Sequence, residues 1–249
     1  MNVALLTVGD ELLAGETTNT NASWLAARLT ERGATVRRIL TVPDDRELIA
    51  ATVARWQDDS EIDAIIATGG IGGTPDDVTV SAVADALDRE FVVFEEMYDR
   101  LREKATAFRE ENPDLVAEYD LELDLEVAAS LPEGATPIVV DEGWAPGCVV
   151  ENVYVFAGIP EEMHAMFESV AAEFSGETVS QTIFTPAPEG ALHEVLETVT
   201  DEFSVSVGSY PRGSDRPGRI RVSGSDPEAV ERAISWLEAR VETVEPPSS

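Results

Sequence analysis

Asp63-Ala-Ile-Ile-Ala-Thr-Gly-Gly-Ile-Gly-Gly-Thr-Pro-Asp-Asp-Val-Thr79 carries three local signals in one stretch. Asp63 to Ala67 is a short apolar run of the kind a strand buried on both faces requires. Residues 69–73 hold four glycines in five positions, and Val78 opens a helical pattern reaching Leu87. A buried strand that passes through a glycine turn into a helix is one unit of a parallel α/β sheet. Upstream the same alternation recurs. Asn2 to Val8 reads as a strand and Thr20 to Arg32 as a helix ending at Gly33. Thr35 to Val42 reads as a second strand, and Asp45 to Trp56 as a helix with an aspartate cap. The expected fold is therefore α/β, with three layers and a mostly parallel sheet. Ligands of such sheets bind at the carboxyl ends of the strands.

Downstream, the pattern predicts a strand at Phe91 to Phe94 and a charged helix from Glu95 to Glu111, closed by Asn112-Pro113. Residues 114–130 are acidic and leucine-bearing and read as weakly helical. Strands follow at Pro137 to Val140, Gly147 to Val150 and Val153 to Phe156, then a helix from Pro160 to Phe174 with proline in its first turn. Ser175-Gly176 marks a linker. The remainder reads as a small α+β module of β-α-β-β-α order: Val179 to Phe184, Gly190 to Glu202, Ser204 to Tyr210, Arg219 to Ser223 and Pro227 to Val241. The expected domains are 1–174 and 177–245, with a disordered tail at 246–249.

The 249 residues, 43% of them hydrophobic, are enough to bury a substantial core. Their 49 acidic and 17 basic side chains leave a net charge of -32. A surface of that sign repels nucleic acid and anionic lipid, so neither is an expected partner. High salt screens such self-repulsion, so the acidity fits a halophilic cytoplasm. Lys104 is the sole lysine, and the single cysteine, Cys148, permits neither an internal disulfide nor a cysteine-rich zinc site. With no basic leader or apolar span in the sequence, a cytoplasmic location is expected. No haem, flavin or zinc pattern is visible.

The glycine loop is the first candidate for chemistry. Gly69, Gly70, Gly72 and Gly73 allow backbone N–H groups to approach an anion, and the helix behind them adds its dipole. The loop lacks the lysine of a nucleotide-binding P-loop, and its spacing departs from the dinucleotide fingerprint. Asp76 and Asp77 stand beside this seat, where they would repel a phosphate unless a divalent cation lay between; magnesium, manganese or cobalt with a few carboxylate oxygens would serve. The alternative is that Asp76 or Asp77 caps the helix at Val78, with Thr79 adding local bonds; Thr68, Thr74 and Thr79 are otherwise read with the glycines as phosphate-binding residues. A second loop follows the first strand: Gly9-Asp10-Glu11-Leu-Leu-Ala-Gly15, then Thr18-Asn19-Thr20-Asn21. Glu11 or Asp10 would complete a metal site, and Asn19 or Asn21 would bond a ligand ring or sugar. Equally, Asn19 or Thr20 caps the following helix.

Taken together, Gly9-Asp-Glu-Leu-Leu-Ala-Gly15, Asn19-Thr-Asn21, Thr68-Gly-Gly70 and Asp76-Asp-Val-Thr79 resemble the molybdopterin-binding domain. That domain is shared by molybdenum-cofactor biosynthesis proteins, CinA proteins and some FAD synthases. Ala145-Pro146-Gly147, Glu151 and Gly158-Ile-Pro160-Glu-Glu162-Met163 extend the likeness over about residues 1–172. The family places proline where Gly73 and Ala157 stand here. Val207-Gly-Ser-Tyr-Pro211 resembles the small KH-like module that follows this domain in CinA proteins, whose large amidase domain is not expected in this chain. The resemblance implies a small phosphorylated ligand (molybdopterin, ADP-ribose or a dinucleotide), held without reaction or cleaved at its pyrophosphate with a metal's help. It also implies a homo-oligomer, and it assigns Asp77 the family's functional aspartate.

Weaker candidates are the arginines Arg212, Arg216, Arg219 and Arg221, read as partners of acidic neighbours or as a phosphate clamp. His164, His193 and Cys148 carry no partner at ligand spacing and read as structural.

Overall fold

The structure is a computed structural model and describes residues 1–118, 124–213 and 216–246. It divides into two compact units, residues 1–28 with 36–174, and 29–35 with 175–249.

In the first unit the elements run β1 (Asn2–Val8), α1 (Asp10–Leu13), α2 (Thr20–Glu31), β2 (Thr35–Val42), α3 (Arg46–Gln57), β3 (Ala64–Thr68) and α4 (Thr79–Ala86). Then come β4 (Phe91–Val93), α5 (Glu95–Glu111), α6 (Pro113–Glu118), α7 (Leu125–Ala128), β5 (Ser130–Pro132), β6 (Thr136–Ile138), β7 (Gly147–Val150), β8 (Val153–Phe156) and α8 (Pro160–Val170). The main sheet has the order β2-β1-β3-β8-β7-β6. β1, β3 and β8 are parallel, whereas β7 and β6 join antiparallel. From β1 to β2 the chain moves one way across the sheet, and from β2 to β3 it moves back. Right-handed crossovers then require α2 and α3 on opposite faces. α3 packs on α4, while Trp24 of α2 meets Phe167 of α8 at 5.5 Å between ring centroids. The sheet is thus the middle of three layers, and its strands supply fully buried Leu5, Leu6, Ile65, Ile66 and Phe156.

The second unit continues with β9 (Val179–Thr185), α9 (His193–Phe203), β10 (Ser206–Tyr210), β11 (Gly218–Gly224) and α10 (Pro227–Glu238). Its antiparallel sheet has the order β10-β11-β9. Val199, Ile220, Val222, Val230 and Leu237 form its core.

Several boundaries differ from the sequence reading. Gly9 to Gly15, read as a loop, contains the short helix α1. Residues 114–130 resolve into α6, α7 and the start of β5, a strand that the acidic composition concealed and that pairs with β4; positions 119–123 lie outside the described residues. The strand expected at Pro137 to Val140 is Thr136–Ile138. The helix expected to run to Phe174 ends at Val170 and continues as a single 3-10 turn. The helix expected from Gly190 begins at His193, after another such turn. The tail at 247–249 lies outside the described residues. The Asp45 cap is present: its carboxylate accepts from Leu48 N at 3.0 Å.

Candidate functional site

Because the chain leaves β1 toward one side of the sheet and β3 toward the other, the two loops part at the carboxyl edge and open a crevice between them. The loop after β8 closes on the same edge. Gly69 N donates to Phe156 O at 3.1 Å, and a Cβ at Gly158 would stand only 3.2 Å from the Gly69 Cα. At φ +98° Gly69 has a backbone that L side chains rarely adopt, and a Cβ there would run into the Val8 carbonyl oxygen. Gly70, at φ +64°, leaves its space to the Thr79 hydroxyl, and its carbonyl accepts from Thr79 N at 3.0 Å. These glycines let β1, β3 and β8 end side by side with a loop between them.

The crevice is a cavity of about 550 Å³, within the range that small-molecule sites occupy. Gly9, Glu11, Gly69, Gly70, Gly72, Gly73, Asp76, Asp77, Gly158, Pro160 and Glu162 of the sequence candidates line it. Thr68, Asn19 and Asn21 line a smaller neighbouring cavity that Glu11, Gly158 and Pro160 share. Pro146 borders a separate small space behind Gly72 and Asp77. Gly147 is buried in β7, where a Cβ would meet Val155 O at 2.5 Å, so its smallness serves sheet packing.

Of the two readings of Asp76 and Asp77, capping is the one the geometry does not use: α4 has Val78 at its N-cap and no side-chain cap bond. Instead the Thr74 hydroxyl lies between both carboxylates, and Thr74 N donates to Asp77 Oδ2 at 2.9 Å. The hydroxyl bond holds Asp76 below the usual carboxylate range. For Asn19 the reverse holds. Its Oδ1 accepts from Ala22 N at 3.0 Å, capping α2, while its amide donates to Thr7 Oγ1 at 2.9 Å and to Thr41 Oγ1. Asn19 is thereby committed to tying α2 to β1 and β2. Asn21 donates to Gly158 O at 2.7 Å, and its Oδ1, like Thr79 Oγ1, is buried without a protein partner.

Asp44, like Trp144, is a cavity-lining residue the sequence reading passed over. It follows β2, lines the large cavity, and accepts from Asp10 N at 2.9 Å. Burial is the main cause that raises its carboxyl above the ordinary value, and the charges of Asp10, Glu11 and Asp76 add to it. The available signal was position: Pro43-Asp44 stands at the carboxyl end of the strand beside β1. A carboxylate raised in this way destabilises the fold above its own pKa and releases that cost below it. Asp44→Asn is therefore expected to raise the melting temperature near neutral pH by about 2 °C, solvent screening keeping the gain under about 1 kcal/mol. The gain is expected to vanish as pH falls through the Asp44 pKa, which thermal melts from pH 3 to 8 would follow.

Among the described residues, no group of three or more His, Cys, Asp or Glu side chains is gathered to hold a metal ion. Cys148 is fully buried, and burial pushes its thiol up to about 12, which leaves it inert. His164 stacks on Trp24 at 3.9 Å, and His193 lies 3.7 Å from Glu197 on an exposed helix face. Arg219 lies over the Tyr210 ring at 4.5 Å, and Arg221 donates to Ser180 Oγ. No helix of the described residues is long and apolar enough to cross a membrane.

A mixed, mostly parallel six-stranded sheet with a glycine seat at its switch point defines a three-layer α/β ligand-binding domain. The chain belongs to the molybdopterin-binding domain family: residues 4–176 match the model described as probable molybdopterin binding domain. Residues 177–245 match the FAD synthase middle domain. A protein of Archaeoglobus fulgidus is 35% identical over 242 residues, covering 96% of this chain and 97% of its own. One from Pyrococcus abyssi is 34% identical over 247 residues with the same coverage. Among solved structures, the protein CinA of unknown function from Thermoplasma acidophilum is similar with a TM-score of 0.59 at 28% identity, over 70% of this chain and 97% of that one.

Proposed function

We propose that the chain binds a small ligand through its diphosphate and cleaves the phosphoanhydride bond, with ADP-ribose or a related dinucleotide as substrate. The carrying observation is the glycine loop at the switch point, opening on the large cavity with Asp76 and Asp77 joined at its rim through Thr74. Amides of the loop hold the non-bridging oxygens as they gain charge. The donor set beside them is carboxylate oxygen, which suits a hard divalent cation such as magnesium, manganese or cobalt. Since three protein carboxylates do not converge among the described residues, one or two of them share the shell with ligand phosphate and water. Such a cation, when bound, neutralises the diphosphate. Asp77, oriented by Thr74, is the principal carboxylate, and Asp44 is placed to aim a water from the β2 side.

The match of residues 4–176 to the model described as probable molybdopterin binding domain supports a second reading, in which a pterin phosphate such as molybdopterin is bound without reaction. Incubation of the purified protein in high salt with ADP-ribose, FAD and related dinucleotides, with each metal in turn, separates the two. Mononucleotide release is the expected result. Silence with every metal overturns the hydrolase, and a fluorescent pterin that co-purifies supports the second reading.

A further inference from the structure

One stripe of α5 holds the segment that carries Trp144, which lines the large cavity together with Leu101 of that helix. Arg100, Lys104 and Phe108 stand four residues apart, and so share a face of the helix. All three hold the same segment, residues 141–144. Arg100 reaches Asp141 at 3.4 Å. Lys104 Nζ donates to Gly143 O at 2.5 Å and to Asp141 O at 3.3 Å. The same ammonium lies 5.4 Å from the centroid of the Trp144 ring, and Phe108 meets that ring at 5.7 Å and 78°. Leu101, the residue after Arg100, is buried against α7 and lines the cavity. The chain's one lysine is thus spent on fixing a loop indole. Trp144 keeps 37% of its surface exposed, and it lines the cavity that the glycine loop floors.

The half-exposed indole leaves apolar area in the cavity wall that a bound flat ring would cover. It is the form of a stacking platform, on which a flat heterocycle buries its own face. We propose that Trp144 receives the planar nitrogen heterocycle of the ligand, a purine or a pterin ring, while the phosphates lie on the glycine loop. Lys104 is the positioning residue that holds the indole in place. The assignment rests on the reading of the glycine loop as the phosphate seat, and it adds what the rest of the ligand must be.

The test is equilibrium binding by calorimetry, with magnesium, of four probes: inorganic pyrophosphate, ribose 5-phosphate, ADP and a pterin monophosphate. Wild-type protein is expected to bind ADP or the pterin phosphate at least about 10-fold more tightly than the two ringless probes. Trp144→Ala is expected to remove that advantage and to change pyrophosphate affinity less than about twofold. Trp144→Phe is expected to keep most of it. Lys104→Met is expected to lower ring selectivity in the same direction, with Lys104→Arg restoring part of it. Whichever ring compound shows the larger selectivity identifies the heterocycle. If ADP and the pterin phosphate bind no better than pyrophosphate, the stacking platform is overturned while the phosphate seat stands. If Trp144→Ala weakens all probes alike, the indole is structural and the proposal fails. If wild-type protein binds none of the four, both the seat and the platform are wrong.

Discussion

With Asp77 replaced by asparagine, mononucleotide release is expected to fall at least about 100-fold, the scale of losing one group that meets developing charge in a dry site. The substitution keeps an oxygen that can accept from Thr74 N, so the loop should survive and melting temperature should barely move. It removes the negative charge that a divalent cation needs. Raising metal concentration is expected to recover part of the lost rate, whereas raising substrate is not. Asp76→Asn offers a graded comparison, since Asp76 shares the Thr74 hydroxyl but not its amide. Turnover by Asp77→Asn within twofold of wild type would remove this carboxylate from the mechanism.

Gly69→Ala is expected to produce the largest loss of stability, about 3 kcal/mol, and a melting temperature lower by about 6–12 °C. Two costs coincide. The backbone at φ +98° is strained for any L side chain, and the new methyl collides with the carbonyl oxygen of Val8 at the end of β1. Neither neighbour can give way, because Val8 is buried and Gly69 N is held by Phe156 O. Gly15→Ala is the control, with a comparable φ of +74° and open space around the site; it is expected to cost about 1 kcal/mol. Equal melting temperatures for the two variants would show that backbone conformation alone sets the cost.

How much could be read from the chain depended on whether the signal was local. The βαβαβ beginning was legible because Val3 to Leu6 and Ala64 to Ala67 are uninterrupted apolar runs, and because Asp45 announces its helix. β5 was not: it is three residues long, ends in Pro132, and exists only through its pairing with β4. α1 was hidden between glycines that suggested a loop. In the candidate site, the glycine and aspartate loop was visible as a motif. Two residues that complete the cavity wall were not. Asp44 sat beside the more obvious cap Asp45, and Trp144 sat in a turn whose partner stripe lies some forty residues earlier in sequence. Asn19 was legible as either cap or ligand, and only the bonds to Thr7, Thr41 and Ala22 choose between them.

The solitary lysine has a practical corollary. A protease that cuts only after lysine meets a single susceptible bond, between Lys104 and Ala105, in the middle of α5. That bond becomes accessible when the helix opens locally, long before the whole chain unfolds. The appearance of two fragments, from residues 1–104 and 105–249, would therefore time the opening of one cavity wall, and a compound lodged against that wall should slow the clock.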